Sequence, residues 1–266
     1  MTIKAMIEEY QYRGLTVAQA RSLVAQKIIL SIIEKSKFVD KVLLKGGVVM
    51  YNMTQEQRRS TIDLDLDFIR YDIRNNKNIE KFIEVLNRLS QDYNITIDGL
   101  IQELNQQDYY GKRVRVLIRD ETEAIKFKID IGIHTLLAIN QNRMCFSFND
   151  NKQLFLQVNP PEQIFSEKLF SLAKIGATSQ RYRDIDDLYY LIKNKSLNSK
   201  TVKECLTLLT INHPYGIKDI EDVIGKAADC LNDSFFIKNY INNNGSWLNL
   251  EYDVAKEVIL DFIYEL

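Results

Sequence analysis

Residues 62 to 68 read IDLDLDF and set aspartates at positions 63, 65 and 67. Drawn out as a β-strand, the stretch projects Asp63, Asp65 and Asp67 from one face and Leu64, Leu66 and Phe68 from the other, because successive side chains alternate. Carboxylates two residues apart on a strand stand roughly 7 Å from each other, where their repulsion is about 2 kcal/mol at an effective dielectric of 20. Something cationic is therefore expected among them. Upstream, residues 44 to 47 read LKGG. Glycine lets the backbone come close to a ligand, and exposed amides at the start of a following helix favour an anion such as a phosphate. Singly, each signal has an ordinary reading: a tight turn, and a solvated edge-strand face that discourages aggregation. Together they supply both halves of a nucleoside triphosphate site, because Mg²⁺ takes hard oxygen ligands and shares them with phosphate oxygens. A third carboxylate is then expected on a neighbouring strand. KFKIDIGIH, residues 126 to 134, offers Asp130 on the same face as Lys126 and Lys128, where it could take a proton from an attacking hydroxyl and bind a second metal ion.

These groups need a sheet to hold them. Thr16 followed by Gln19 has the form of a capping box, and Val17, Ala20, Val24 and Ile28 follow at helical spacing, which predicts a helix from Thr16 to Lys35. KVLLK is a short apolar strand ended by the glycine pair, Val48 to Met53 suits a short helix, and TQEQRRST is a polar loop before the aspartate strand. An amphipathic helix in NIEKFIEVLNRLSQDY precedes alternating strands in NITID, KRVRVLIRD and AIKFKIDIGIH. After LQVNPPEQ the pattern changes. Pro161 suits the first turn of a helix, and the remainder reads helical apart from a polar, Asn-rich turn in NYINNNGS. The expectation is an α+β (α/β) chain: a mixed sheet with flanking helices over residues 1–158, including an N-terminal helix, then an all-helical C-terminal domain over residues 159–266.

Composition narrows the partners. A length of 266 residues suggests about two domains. Lys plus Arg number 35 against 36 acidic residues, so no global basic excess advertises a polyanion binder; Lys112, Arg113, Arg115 and Arg119 could still form a local phosphate-contacting stripe. Cys145, Cys205 and Cys230 are far apart and in no metal-ligand spacing, which points to a reduced, cytoplasmic setting and small buried hydrophobes. The start MTIKAMIEEYQYRG lacks the apolar stretch of a signal peptide, and no apolar run approaches the ~20 residues of a membrane span. His134 and His213 sit beside no ligand-spaced partner and read as strand-end and turn residues.

Five short segments in order carry a family resemblance: LKGG, RSTIDLD, KID, EKLFSLAK and RYRDIDDLYYL, spanning residues 44 to 191. With them the chain resembles the nucleotidyltransferase fold of polymerase-β-like enzymes, and within it the AbiEii/AbiGii toxin family of type IV toxin–antitoxin systems. Arg183 stands where the family's last motif usually has lysine, and Ser171 where alanine is common. The resemblance implies that Gly46 and Gly47 hold the triphosphate of an NTP co-substrate, with Arg59, Thr61, Lys168 and Arg181 beside them. It implies that Asp63, Asp65 and Asp130 bind Mg²⁺ or Mn²⁺, and that Lys168 and Asp184 complete the catalytic set from the helical domain. The implied activity is transfer of a nucleoside monophosphate to a hydroxyl, on the 3′ end of a tRNA or on a protein, by the toxin of a toxin–antitoxin or phage-abortive system opposed by a separately encoded antitoxin. Two alternatives stand beside it: a small-molecule (antibiotic) nucleotidyltransferase, and a non-catalytic interaction module with this fold. Asp67 falls one strand step beyond the implied metal pair and is expected to pair with Lys126 or Lys128.

Overall fold

The structure, a computed structural model, describes residues 1–54, 61–104, 111–148, 153–212, 216–243 and 246–266. Two compact units emerge: Met1–Thr135 with Gln141–Val158, and Leu136–Asn140 with Asn159–Leu266. The chain is a mixed α/β protein with an eight-stranded sheet in the first unit and helices in the second.

In the first unit, α1 (Ile3–Tyr12) and α2 (Val17–Glu34) precede the sheet. The capping box at α2 forms: Thr16 Oγ1 accepts from the Gln19 backbone N–H at 3.3 Å and Gln19 Oε1 accepts from the Thr16 N–H at 3.0 Å. Then come β1 (Val42–Lys45), α3 (Gly46–Met53), β2 (Leu64–Phe68), α4 (Asn76–Leu89), β3 (Asn94–Ile97), β4 (Gln102–Leu104), β5 (Gly111–Arg119), β6 (Ala124–Ile133), β7 (Asn142–Ser147) and β8 (Gln153–Val158). The strand order is β3-β5-β6-β2-β1-β8-β7, with β4 paired to β5. β6–β2 and β1–β8 are parallel and the other pairs antiparallel.

Period-two alternation gives this sheet one apolar and one polar face. Leu64, Leu66 and Phe68 of β2, Val114, Val116 and Ile118 of β5, and Ile125, Phe127, Ile129 and Ile131 of β6 are buried. Helices α2 and α4 pack against the sheet, and Phe38, Phe68 and Phe82 meet edge to face with ring centres 5.1 to 5.9 Å apart. Each such ring stabilises by about 2 to 3 kcal/mol through burial, so Phe68 fixes the end of the aspartate strand from its opposite face. The sequence reading differs from this unit at several points. Helix α1 and strands β4, β7 and β8 were not foreseen, α3 begins at Gly46 rather than Val48, and Asp63 precedes β2 instead of lying within it.

The second unit holds α5 (Pro161–Ile175), α6 (Arg183–Asn194), α7 (Ser199–Asn212), α8 (Ile220–Asn232), α9 (Ser234–Asn242) and α10 (Tyr252–Tyr264). Pro161 opens α5, which packs on α6, α7 and α8. The expected Asn-rich turn is instead helical as far as Asn242. Asp233 caps α9 by accepting from the Phe235 and Phe236 N–H groups, and burial of Phe236 and Tyr240 outweighs the weak helix propensity of asparagine.

One carboxylate organises this unit. Asp186 of α6 is fully buried; its Oδ1 accepts from the Tyr240 hydroxyl at 3.1 Å, and its Oδ2 accepts from Ser246 Oγ, Trp247 N and Leu248 N at 2.6 to 2.7 Å. It thereby ties the segment before α10 to α6. Asp186→Ala leaves those buried donors without their acceptor and should destabilise the unit by about 3 to 5 kcal/mol. Calorimetry checks this; a melting temperature within about 2 °C of wild type would contradict the assignment.

Candidate active site

At Lys45 the chain leaves β1 and turns at once into α3. Gly46 has φ +67°, in the left-handed region, and a Cβ there would lie 2.1 Å from Asp65 Oδ2. A Cβ on Gly47 would lie 2.6 Å from the Thr61 Cβ. Both glycines are thus demanded by how closely the segment entering the aspartate strand approaches the turn. The register then sets a row of charges across four strands: Lys45 of β1 faces Asp65 of β2, Asp65 faces Asp130 of β6, and Asp130 faces Arg113 of β5.

Three of the four carboxylates on this face hold a basic partner. Asp63 receives Lys128 Nζ at 2.7 Å and the Thr61 hydroxyl at 2.7 Å. Burial pulls its carboxyl upward, but those two hydrogen bonds outweigh it and hold Asp63 below the usual value of 3.8. Gln26 of α2 fixes the same segment by donating to the Thr61 and Asp63 carbonyls at 3.1 and 3.2 Å. Asp130 is gripped by both arms of Arg113, Nε and Nη2 each at 2.8 Å, a bidentate pair that raises the guanidinium further above its ordinary value. Asp67 is 4% exposed and receives Lys45 Nζ at 2.9 Å. Asp65 makes no hydrogen bond or ion pair among the described residues. Burial first, then the charge of Asp63, and more weakly those of Asp130 and Asp67, push it up to about 6 against the opposing pull of Lys45.

Among the described residues no three of His, Cys, Asp and Glu stand as a preformed metal cluster. The donor chemistry nevertheless fits a hard divalent cation: these are carboxylate oxygens, and the one crowded by other anions lacks an ion pair among the described residues.

Several sequence expectations change. Asp67 pairs with Lys45, not with Lys126 or Lys128; Lys126 pairs with Asp98 at 3.1 Å and Lys128 with Asp63. Lys112 does not belong to a basic stripe, because alternation turns it to the other face, where it is buried and paired with Glu103. Arg113 holds Asp130. Lys45 was missed although it directly precedes the glycines. His134 is buried after β6, beside Gln141. Arg59 and His213 lie outside the described residues.

Within the second unit, Lys168 of α5 pairs with Asp184 and, at 2.8 Å, with Asp187, while Arg181 Nη1 stands 3.9 Å from Asp184 Oδ2. Asp187 also accepts from the Trp247 indole N–H at 3.1 Å. Sequence reasoning passed over Asp187, although its i, i+3 spacing from Asp184 puts both on one side of α6. Cys205 and Cys230 are buried and Cys145 is half-buried. No helix among the described residues is long and apolar enough to cross a membrane.

A family model described as the nucleotidyl transferase AbiEii toxin of type IV toxin–antitoxin systems matches residues 28–227. No curated protein sequence matches the chain. Among solved structures, it is similar to JHP933 from Helicobacter pylori, at 16% identity over 92% of this chain and 94% of that one, with a TM-score of 0.46. It is also similar to an antigenic nucleotidyltransferase-like protein from Paracoccidioides brasiliensis, at 16% identity over 71% of this chain and 88% of that one, with a TM-score of 0.42.

The crowding at Asp65 has a measurable consequence without any ligand. Its folded-state value of about 6 lies above the ordinary 3.8, so the folded protein binds this proton more tightly than the unfolded chain does. Stability is then lost as pH rises from about 4 to about 6, and the whole cost, up to about 3 kcal/mol, is present above that window. Asp65→Asn in chelator-treated protein should therefore raise the melting temperature at pH 8 and leave it nearly unchanged at pH 4. An equal effect at both pH values would refute the crowding account.

Proposed function

The chain belongs to the AbiEii family of nucleotidyltransferase toxins of type IV toxin–antitoxin systems, and on that premise we propose that it transfers a nucleoside monophosphate from an NTP to a hydroxyl on a tRNA 3′ end or a protein, held in check by a separately encoded antitoxin. The observation that supports this reading most is the approach of Asp65 to Gly46, with Asp130 next to Asp65 in register. It sets a turn that admits phosphates beside the carboxylates that phosphoryl transfer needs.

In this reading Gly46 and Gly47 let the triphosphate reach the backbone at the start of α3, and Thr61 and Arg59 contribute to holding it. The acceptor oxygen bonds to the α-phosphorus, the bond from that phosphorus to the bridging oxygen breaks, and pyrophosphate leaves. Asp130 takes the acceptor's proton, and Arg113, bound to both its oxygens, fixes the plane in which it does so. Asp63, Asp65 and Asp130 would hold Mg²⁺ or Mn²⁺, which when bound lowers the pKa of the attacking hydroxyl and neutralises charge on the leaving pyrophosphate. Lys168 and Arg181 supply cations to the nucleotide's phosphates, and Asp184 joins the catalytic set. The working compartment in this reading is the cytoplasm.

The full chain, given each α-labelled NTP with Mg²⁺ and either bulk tRNA, a cell protein extract or an aminoglycoside, should label a macromolecule. Asp65→Ala should cut transfer by about a hundredfold or more. Label on the aminoglycoside alone would favour a small-molecule enzyme. No label on any acceptor, or undiminished transfer by a folded Asp65→Ala protein, would overturn the reading.

A further inference from the structure

The third aspartate of the strand has no part in the reaction just described, yet it is buried, at 4% exposure, and paired. The pairing is not the one that position alone favours. Lys45 faces Asp65 directly, and the residue facing Asp67 is Leu43. Directly opposed side chains have Cβ atoms about 5 Å apart, whereas diagonal neighbours stand about 7 to 8 Å apart. The Lys45 ammonium nonetheless takes the diagonal and lies 2.9 Å from Asp67 Oδ2. Asp65 leans the opposite way, with its Oδ2 against Gly46. Around Asp65, the carboxylates of Asp63, Asp67 and Asp130 are each matched to a base, Lys128, Lys45 and Arg113 in turn. The base that could have closed on Asp65 from across the strand pair is held by Asp67.

We propose that Asp67 is a positioning residue: its buried carboxylate draws the Lys45 ammonium along the diagonal and off Asp65, which keeps Asp65 open to a divalent cation, an inference that rests on the reading of Asp65 as a cation ligand. Without the charge at position 67, the carboxylate that Lys45 directly faces across the strand pair, Asp65, becomes its competing partner. An ammonium seated there competes with the metal ion for the same oxygens and opposes it by charge. Asp67 Oδ1, which has no hydrogen-bond partner among the described residues, raises the rival account that Asp67 is itself a ligand and that the metal pair is Asp65 with Asp67. The two accounts differ in what removing Lys45 does.

The test is a double-substitution cycle read by Mn²⁺ binding to the nucleotide-free full chain, followed through the electron paramagnetic resonance signal of free Mn²⁺. Asp67→Asn should weaken binding by about tenfold or more, and adding Lys45→Met to it should return affinity to within about threefold of wild type. A merely structural role, or direct ligation by Asp67, leaves the loss in place in the double variant and overturns the inference. Should Asp67→Asn alone fail to fold, the double variant still decides, because it removes both partners and strands neither charge: affinity within about threefold of wild type supports the inference and a loss of about tenfold overturns it. Asp65→Asn separates the premise from the inference. If wild type binds no Mn²⁺, or Asp65→Asn binds it equally well, the metal-site reading fails and the inference falls with it. If Asp65→Asn abolishes binding while the double variant stays weak, the inference alone is wrong.

Discussion

The polar face of the sheet depends on one contact: Asp65 Oδ2 occupies the space that a side chain on residue 46 would need. That contact joins three segments. It fixes the end of β1, because the backbone at 46 must enter the left-handed region to turn directly into α3. It fixes the register of β2, because sliding by one residue would turn every aspartate to the apolar face. Through Gly47 and Thr61, which are packed just as closely, it also fixes where the chain re-enters the sheet. A close-packed interior yields little at such points, so turn, helix start and carboxylate strand hold their positions together or not at all.

Charge on this face is arranged by the same register. Arg113 opposite Asp130 makes the direct bidentate pair, while Lys128 with Asp63 and Lys45 with Asp67 reach along the sheet. Partly exposed ion pairs add little stability, on the order of 0 to 1 kcal/mol each, and their weight here lies in geometry. Each orients a carboxylate, and together they leave the deficit of positive charge at one place. That place is Asp65, where burial first and then the neighbouring carboxylates raise the carboxyl to about 6. Negative charge on this face is therefore least compensated at the residue nearest the Gly46 turn.

Local signals were legible in the sequence. Alternation in IDLDLDF, KRVRVLIRD and AIKFKIDIGIH announced strands with one wet face, the Thr16 and Gln19 pair announced α2, and Pro161 announced α5. The aspartates and glycines that come together were named from type and spacing. What could not be read was which base serves which aspartate. That depends on the order β5-β6-β2-β1, in which β2 and β6 are neighbours despite three intervening strands in the chain. Lys126 and Lys128 lie on β6, on one side of β2, whereas the base that reaches Asp67 comes from β1 on the other side. Reading Lys112 with Arg113 in one stripe ignored the alternation used elsewhere, since neighbours on a strand face opposite ways. The end of α9 was hidden because its last residues, NYIN, run straight into the Asn-rich stretch NNGS.

Asp186 and Asp187 show the same economy on a helix. Successive residues point about 100° apart around an α-helix, so two adjacent carboxylates face different partners. Asp186 takes three donors from Ser246, Trp247 and Leu248 and one from Tyr240, which is a structural task. Asp187 takes the Lys168 ammonium on one oxygen and the Trp247 indole on the other. Because Trp247 is bound to both aspartates, by its backbone to one and its ring to the other, the segment that closes the helical unit also restrains the carboxylate beside Lys168. The basic residue singled out by the family motif is therefore positioned by the same hydrogen bonds that hold α10's approach to α6, and stability and placement of that group cannot be varied independently.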